Sequence, residues 1–593
     1  MKKFSFILLL IFVIVSIYSQ QSLLYEEEII GNSWYDLQSN GSSQNRLYVF
    51  EDGIIGATWT LSVGPSSSYP DRGTGYNYFD GINWQDWPTE RIESDRTGWP
   101  SYAPWGEEGE IVLAHYSGAD YDGLVFSSRP DKGTGEWSHA DFFGPPGHEG
   151  LLWPRMVTGG DSHERIYLIA LSRPTTNGGE PYQGLDGALL YSLSTDGGQS
   201  WNIQNEILPG MDSTLYDKIT GDYYGWAEPQ GDVVAFVTGS WEHDLFIMKS
   251  TDGGLTFQKT IIWDNPWNSQ TTGNSFYCPD GSMHAVIDNS GKVHVAFAVT
   301  SVTFSPADSI WYHPDSVDGI VYWNEAMETF SENPNALNPN LHPESELVID
   351  YNLIGYMQDI NGDGQLSLAM ENGLYANRGI STWPQIVIDN LNRLFLVYSS
   401  VTETYDNVIQ NYRRIWIRSS LNGGASWGPF YHFAEDDSTS IFTEYSFPSC
   451  AANSDDHIYM MYQKDNEPGL DIFGPGKKMW EQQYGFAKIS KEEIVGLGND
   501  VSGPIGFLVS QNTPNPFSGS TNIEVSLSEQ AQIHIRIFTL TGTDILKETL
   551  QGTAGKNIFT IRADRWKPGI YFYTISTGEK SITKNKLVPK YIK

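Results

Sequence analysis

The chain of 593 residues has only 2 cysteines, Cys278 and Cys450, so no disulfide framework holds it together. Whether these two thiols are free or form a single pair stays open at this stage. Positive charge is also scarce, because 36 Lys and Arg stand against 72 Asp and Glu, which gives a formal net charge of −36. Proteins that grip nucleic acid need clustered Lys and Arg for phosphate, so nucleic acid is excluded as a partner.

No stretch after the N-terminus reaches the roughly 18 consecutive apolar residues that a membrane-spanning helix needs. What the chain does contain is 59 Gly, 33 Tyr, 27 Phe and 20 Trp, with 39% hydrophobic and 18% charged residues. Aromatic residues favour strands and glycines favour turns. The sequence therefore predicts a folded all-β protein, and its length predicts two or more domains.

The N-terminus has the three parts of a secretory signal peptide. Lys2 and Lys3 precede the apolar run 4–15, and small residues follow near Ser19. We expect residues 1–20 to direct export and to be removed from the mature protein. The alternative is an uncleaved membrane anchor, although the apolar run is short for a span.

One octet occurs three times, each time after a short apolar strand. The copies are STDGGQSW (194–201), STDGGLTF (250–257) and SLNGGASW (420–427), and they begin 56 and 170 residues apart. In such a turn the glycines adopt positive φ angles and the Asp or Asn side chain accepts hydrogen bonds from turn N–H groups. The spacing predicts a structural unit of roughly 57 residues. The residues predicted to shape these turns are Asp196, Trp201, Asp252, Phe257, Asn422 and Trp427.

These octets resemble the Asp-box, or BNR, repeat of sialidase-like β-propellers. The resemblance implies a β-propeller over residues 21–490; seven similar strands indicate seven blades, and the alternative is six, as in catalytic sialidases. It says little about activity, because the Asp box of that family lies on the blade periphery. Other repeated features are Trp-Pro or Phe-Pro pairs at Trp99, Trp153, Trp383 and Phe447, and a PDRGTG segment (70–75) that is echoed at 130–135. Alternating strands are predicted to begin near Ile54, Ile111, Ile166, Val233, Val293, Leu394 and Ile458.

An insertion of about 331–380 interrupts the repeat spacing and contains a candidate calcium loop. Oxygen ligands at positions 1, 3 and 5 followed by Gly at 6 are what an EF-hand-type loop requires. Met370 occupies position 12, where a bidentate Glu is expected, and Glu371 falls one residue later. The alternative is a polar turn that binds no ion. The predicted ligands are Asp359, Asn361, Asp363, Gln365 and Glu371, and no organic cofactor is predicted.

The composition changes near the C-terminus, where residues 491–506 are predicted to be a linker. Residues 507–593 show short alternating strands with Gly and Pro turns, which indicate a small β-sandwich. This segment resembles the type A C-terminal sorting domain of the bacterial type IX secretion system. The resemblance implies a secreted or cell-surface protein that is handled by that machinery; the alternative is an immunoglobulin-like adhesive module. The landmark residues are Pro514, Asn515, Pro516, Phe517, Gly569, Tyr571 and Lys584.

Enzymatic activity has little support in the sequence. A sialidase-type glycoside hydrolase holds the substrate carboxylate with three arginines, the first in a Phe/Tyr-Arg-Ile-Pro motif, and the nearest segment here is only NRLY (45–48). Arg96, Arg155 and the Arg413–Arg414 pair are candidates to face a central channel, but arginines that bridge blades explain them as well. We find no zinc-protease, P-loop or nucleophile-elbow motif. The sequence favours a non-catalytic glycan- or protein-binding module over a sialidase-type hydrolase, and no catalytic residue is nominated.

Overall fold

The computed structural model describes most of the chain from Tyr25 to Leu587. The residues described are 25–43, 45–117, 122–267, 275–305, 310–312, 317–340, 342–361, 365–369, 378–434, 442–452, 454, 456–470, 480–499, 507–509, 519–527, 530–539, 543–553, 555–562, 566, 571–577 and 580–587. The predicted signal peptide therefore lies outside the described residues. Within them helix is confined to α1 (Lys491–Asn499) and short 3₁₀ turns such as Thr175–Asn177.

The large N-terminal region consists mainly of β-strands in the residues described. In the first half they are β1 (Tyr25–Ser33), β2 (Leu47–Val49), β3 (Ile55–Leu61), β4 (Gly73–Phe79), β5 (Thr97–Trp105), β6 (Gly109–Tyr116), β7 (Leu124–Arg129), β8 (Ser138–Phe142), β9 (Leu151–Gly159), β10 (Arg165–Ser172), β11 (Leu189–Ser194), β12 (Ile203–Glu206), β13 (Tyr224–Trp226) and β14 (Val234–Ser240). In the second half they are β15 (His243–Ser250), β16 (Gln258–Trp263), β17 (Ser275–Ile287), β18 (Val293–Ser305), β19 (Ile310–Tyr312), β20 (Ile320–Asn324), β21 (Leu353–Gly355), β22 (Ser381–Ile388), β23 (Leu394–Asp406), β24 (Asn411–Ser420), β25 (Tyr431–His432), β26 (Glu444–Cys450), β27 (His457–Asp465) and β28 (Gln482–Ser490).

These strands form seven antiparallel sheets within the described residues, numbered here along the chain. Sheet 1 is β2-β3-β4, sheet 2 is β5 to β8, sheet 3 is β9 to β12 and sheet 4 is β13 to β16. Sheet 5 is β17-β18-β20-β21 with β19 beside β18, and sheet 6 is β22 to β25. Sheet 7 is β26-β27-β28-β1, so the N-terminal strand completes the sheet formed by the end of this region.

Each sheet packs against the next one, and sheet 7 packs against sheet 1. The buried apolar clusters lie between neighbouring sheets: one joins sheets 3 and 4, another joins sheets 5 and 6, and a third joins sheets 7 and 1. Burial of apolar side chains is the main stabilising contribution to such packing. The sheets therefore close into a ring that is held by its inter-sheet cores.

The three octet turns add a hydrogen bond between neighbouring sheets. In each turn a glycine carbonyl accepts a bond from an aromatic side chain of the preceding sheet: Trp105 Nε1 to Gly197 O (3.0 Å), Tyr191 Oη to Gly254 O (2.9 Å) and Tyr322 Oη to Gly423 O (3.1 Å). The glycines concerned have positive φ, for example 71° at Gly197, which suits a residue without a Cβ. The repeated octet thus fixes both a turn and a contact between sheets.

Two predicted segments differ from the structure. The insertion at about 331–380 is not wholly outside the repeat, because its strand β21 is the outer strand of sheet 5. The predicted linker 491–506 begins with α1, whose Ile494 and Val495 are buried in the core between sheets 6 and 7. Both apolar side chains gain more from this burial than an exposed linker would allow.

The C-terminal region is a separate all-β unit of two antiparallel sheets. Its strands are β29 (Phe507–Val509), β30 (Ser520–Leu527), β31 (Ala531–Thr539), β32 (Asp544–Gly552), β33 (Gly555–Arg562), β34 (Tyr571–Thr577) and β35 (Lys580–Leu587). The sheets are β29-β30-β33 and β32-β31-β34-β35, and they share one apolar core. Alternate residues of β31 are buried, as expected for strands with one face towards a core.

Candidate functional site

The link between β1 and β2 runs through the interior of the ring. Residues 35–39 and 41–43 of this link are buried. Asn40 N donates to Asp222 Oδ2 (2.7 Å), and Met283 N donates to Ser42 Oγ (2.6 Å). Asp222 lies just before sheet 4 and Met283 belongs to sheet 5. The link itself joins sheet 7 to sheet 1, so its partners lie on other sheets of the ring. The link therefore crosses the centre of the ring, and we call its described residues, 34–43 and 45–46, the plug.

An ion pair that is completely buried fixes the plug. Arg155 donates to Asp222, and neither side chain has exposed surface. Arg155 Nη2 also donates to Ser42 O of the plug (3.0 Å), while Trp99 Nε1 donates to Asp222 Oδ2 (2.8 Å). A buried ion pair needs such additional hydrogen bonds to offset its desolvation cost. Arg155 is thus a structural residue that links sheets 3 and 4 to the plug.

The other candidate arginines are also held by protein groups, and Arg96 donates to Ser117 O (2.6 Å) near the start of sheet 2. Arg413 donates to Ile380 O (2.8 Å) and Gly379 O (2.9 Å), and Arg414 donates to Ala434 O (2.9 Å). Both side chains are buried. Arg155, Arg413 and Arg414 therefore do not form an open clamp for a substrate carboxylate.

The Trp-Pro and Phe-Pro pairs form β-bulges in the first strands of sheets 2, 3, 6 and 7. Their backbone φ angles are positive: 55° at Trp99, 48° at Trp153, 49° at Trp383 and 50° at Phe447. In all four sheets the register with the second strand shifts at the pair. A bulge re-aims a side chain, and positive φ in a bulky residue is strained, so both features are common near functional sites.

The side chains from these bulges gather at the end of the ring where the first strands begin. Trp99, Trp383 and Phe447 pack with Tyr35, Leu37, Tyr69 and Leu470, while Trp34 and Trp153 lie at the edge of this cluster and are half-buried. Gly221 accommodates Trp153, because a Cβ at Gly221 would lie 2.5 Å from the indole ring. We call this end of the ring the mouth.

Two arginines lie beside the aromatic cluster of the mouth. Arg72 stacks on Tyr35 and Trp99, with its Cζ 5.0 Å and 5.3 Å from the ring centres. It donates to Thr97 O (2.9 Å), and Arg96 donates to Tyr69 O (2.8 Å). Gly98 leaves room for Arg72, since a Cβ there would lie 3.0 Å from Nη2.

His115 lies next to these arginines and is stacked on Trp99, with the two ring centres 5.2 Å apart. Trp153 N donates to His115 Nδ1 (3.1 Å), so a neutral ring carries its proton on Nε2. Burial holds the pKa of His115 well below its usual value, and four positive charges lower it further, those of Arg72, Arg155, Arg96 and Arg173. Arg155 and Arg173 are paired with Asp222 and Asp122, so the unpaired positive charge beside His115 is that of Arg72 and Arg96.

A small cavity of about 70 Å³ lies near the ring centre at the end opposite the mouth, where the first strands of the sheets end. Residues from five sheets line it, including Tyr48, Glu228, His284 and Cys450. Burial raises the pKa of Glu228 to about 7 and lowers that of His284 to about 3. Cys278 and Cys450 are both free and buried, which answers the question that the sequence left open.

The octet side chains lie at the turns between the third and fourth strands, away from the mouth. Asp196 Oδ1 accepts from Ser200 N (2.8 Å), and Asp252 and Asn422 make the equivalent bond to Thr256 N and Ser426 N (2.9 Å each). The aromatic residues that end the octets pack on neighbouring rings: Trp201 on Phe142, Phe257 on Tyr191 and Trp427 on Tyr322.

The candidate calcium loop is described only in part, because Asp363 and Glu371 lie outside the described residues. Asp359, Asn361 and Gln365 are described. The buried carboxylate of Glu403 accepts bonds from two backbone groups of the loop, Ile360 N (3.2 Å) and Ser367 N (2.8 Å). Among the described residues no group of three or more His, Cys, Asp or Glu is arranged to hold a metal ion. The calcium site stays a prediction.

The landmarks of the sorting segment fall largely beyond what the structure describes. Pro514, Asn515, Pro516, Phe517 and Gly569 are outside the described residues. Tyr571 is buried in the core of the C-terminal unit, and Lys584 lies on β35.

Sequence reasoning missed Arg72 and His115, which define the mouth together with Arg96. Arg72 belongs to the repeated PDRGTG segment, and in the sequence this segment and the Trp-Pro pairs stand out only as repeated features. The shared proline after each aromatic residue is a signal that marks the bulges. Nothing local in the sequence shows that these bulges meet His115, which comes from a different strand.

Comparison with known proteins identifies the C-terminal region. Residues 513–590 match the family model of the secretion system C-terminal sorting domain. The protein is therefore handled by the type IX secretion machinery and is secreted or located at the outer cell surface. No curated protein matches the chain. None of the helices that the structure describes is long and apolar enough to cross a membrane.

Several solved structures resemble the fold at low sequence identity. An ulvan lyase, a polysaccharide lyase solved with a bound saccharide, is 11% identical, with a TM-score of 0.45, and the match covers 75% of this chain and 94% of that one. A Trypanosoma rangeli sialidase is 9% identical, with a TM-score of 0.36, and the match covers 94% of this chain and 84% of the sialidase. An α-L-arabinanase of Penicillium chrysogenum is 10% identical, with a TM-score of 0.32 and a coverage of 67% and 94%. Matches at these values assign no activity to the chain.

Proposed function

We propose that the ring is a seven-bladed β-propeller over residues 21–490 and that residues 507–593 form an immunoglobulin-like sandwich. Seven sheets in contact around a centre and closure of sheet 7 by β1 support the first statement. Two sheets around one core support the second. Residues 1–20 are then the signal peptide, and the connection between the two domains is shorter than 491–506 because it follows α1.

We propose further that this exported propeller is a non-catalytic module that binds a glycan at the mouth. The observation that carries this proposal is the set of strained aromatic bulges that bring Trp side chains from separate sheets to one end of the ring. Indole rings stack on the apolar faces of sugars, and loops at one rim of a propeller form its common ligand surface. Trp34 and Trp153 are the half-buried rings that a sugar reaches first.

A glycan array with the mature full-length protein tests this proposal. Binding should fall roughly tenfold in Trp153→Ala and in Trp34→Ala, because each loses one stacking surface. Trp87→Ala is the matched control, since Trp87 is exposed and its indole bonds to Ile29 O on the outer strand of sheet 7. Binding that is unchanged in both mouth variants would contradict the proposal. Release of a sugar product from the bound glycan would instead favour the sialidase-type hydrolase.

Calcium binding by the loop at 359–371 stays part of the proposal. Carboxylates around a loop can replace a missing ligand at position 12, and Glu403 accepts bonds from two backbone N–H groups of the loop. Added Ca²⁺ should raise the melting temperature of the protein and EDTA should lower it. A melting temperature that neither addition changes would contradict calcium binding.

A further inference from the structure

Arg72 and Arg96 converge on one hydroxyl group at the mouth. Arg72 Nη2 donates to Ser117 Oγ (2.6 Å), and Arg96 Nη1 donates to the same oxygen (3.0 Å) and to Ser117 O (2.6 Å). Two guanidinium groups that share a partner are held close together. Burial lowers the pKa of Arg72, and the charge of Arg96 lowers it further, as expected for two like charges near each other.

Neither of these arginines forms an ion pair with any residue that the structure describes. Their other partners, Thr97 O, Tyr35 Oη and Tyr69 O, are neutral oxygens. Asp71 is near Arg96, but its carboxylate accepts from Ser62 Oγ (2.7 Å) and Val63 N (2.5 Å). Buried charge without a counter-charge is costly, so an anion from outside would be stabilised here.

His115 provides a third donor beside the arginine pair. It is 3% exposed, and its Nε2 has no hydrogen-bond partner among the described residues. Because Nδ1 accepts from the backbone, Nε2 presents its proton. The more distant Arg173 is paired with Asp122 and does not offer the same unpaired charge.

We propose that Arg72, Arg96 and His115 bind the carboxylate or sulfate group of an acidic saccharide. The neighbouring Trp rings then contact the sugar faces of this saccharide. This inference rests on the proposed function. The overall charge of −36 repels polyanions at long range, so selection for an acidic glycan has to come from this local site. Guanidinium groups match carboxylate and sulfate oxygens with paired N–H donors, and the aromatic stacking of Arg72 holds its plane in place.

Isothermal titration of the mature protein with matched polysaccharides tests this inference. The probes are polygalacturonate against its methyl-esterified form, and dextran sulfate against dextran, so the two arms distinguish a carboxylate from a sulfate ester. We expect at least one acidic probe to bind more than tenfold more tightly than its neutral partner. Arg96→Gln should remove this preference, and so should Arg72→Gln. Circular dichroism checks the folding of both variants. If Arg72→Gln does not fold, Arg96→Gln still tests the inference, because Arg96 is only half-buried.

Arg165→Gln is the matched control, because it removes one positive charge from a partly exposed arginine that pairs with Asp232 away from the mouth. The preference for an acidic probe should be unchanged in this variant. Equal binding of acidic and neutral probes, or a preference that survives Arg96→Gln, would overturn the inference and leave glycan binding itself intact. Absence of binding to every saccharide, on the array and in the titration, would overturn the proposed function as well.

Discussion

At the scale of single residues, Glu228 makes the stability of the ring depend on pH. Its folded pKa is about 7, above the ordinary value of 4.5, because burial disfavours the charged form. The folded state therefore holds a proton that the unfolded state has released between these two values. The contribution of Glu228 to the free energy of unfolding is therefore fully present below about pH 4.5 and is lost as the pH rises to about 7.

Glu228→Gln should consequently stabilise the protein at pH 8 by on the order of 1–3 kcal/mol and have little effect at pH 4.5. Glutamine keeps the shape of the protonated carboxyl and cannot ionise. Denaturant melts at both pH values measure the difference. Glu206→Gln is the control, because Glu206 is exposed on β12, and it should behave like the unchanged protein. A stabilisation of equal size at both pH values would contradict the assignment to Glu228.

At the scale of an element, the octet turn depends on the side chain at its third position. Asp252 accepts from Thr256 N (2.9 Å) and Thr256 Oγ1 (2.7 Å), and these bonds, the side-chain bond first, lower its pKa to about 2. Asp252→Ala removes both bonds, so we expect the melting temperature to fall by about 1–3 °C. Asp252→Asn should retain most of the stability at neutral pH, since in the third octet Asn422 Oδ1 accepts from Ser426 N and Asn422 Nδ2 donates to Ser426 Oγ.

The second measurement for this turn is the melting temperature as a function of pH in the acid range. A lowered carboxyl pKa contributes stability above the unfolded value, and this stability is lost as the pH falls towards 2. The difference between the unchanged protein and Asp252→Ala should therefore shrink at low pH, whereas Asp252→Asn should show no such trend. A difference that is constant with pH would show that the carboxylate bonds do not stabilise the turn.

The octets were predictable because all the groups that form the turn lie within eight residues of each other. The predicted strand starts are confirmed for the same local reason: Val293 and Leu394 are the first residues of β18 and β23, and Ile54 directly precedes β3.

The mouth was not predictable, because Arg72 and Ser117 are 45 residues apart in the sequence and Arg155 and Asp222 are 67 residues apart. Such pairs are brought together by the closure of the ring, which no local pattern encodes. Likewise, α1 was missed because only the core behind Ile494 makes its burial favourable.

At the scale of the whole molecule, the ring is closed without a covalent bond, through the pairing of β1 with β28. Ile30 on β1 is completely buried with Trp59 and Phe486, and so joins sheets 7 and 1. Ile30→Ala should lower the free energy of unfolding by about 2–4 kcal/mol, since a buried aliphatic side chain leaves a cavity. Because every sheet is supported by two neighbours, loss at this contact should destabilise all seven sheets together rather than detach one strand.

Denaturant melts followed by far-UV circular dichroism and by tryptophan fluorescence distinguish these two outcomes. Coincident curves that both shift to lower denaturant in Ile30→Ala indicate that the ring unfolds as one cooperative unit. The control is Glu28→Ala, which truncates an exposed side chain on the same strand and should change stability by less than about 0.5 kcal/mol. If Ile30→Ala instead produced a small early transition with an unchanged main transition, β1 would be a peripheral strand, and the integrity of the mouth would not depend on the closure.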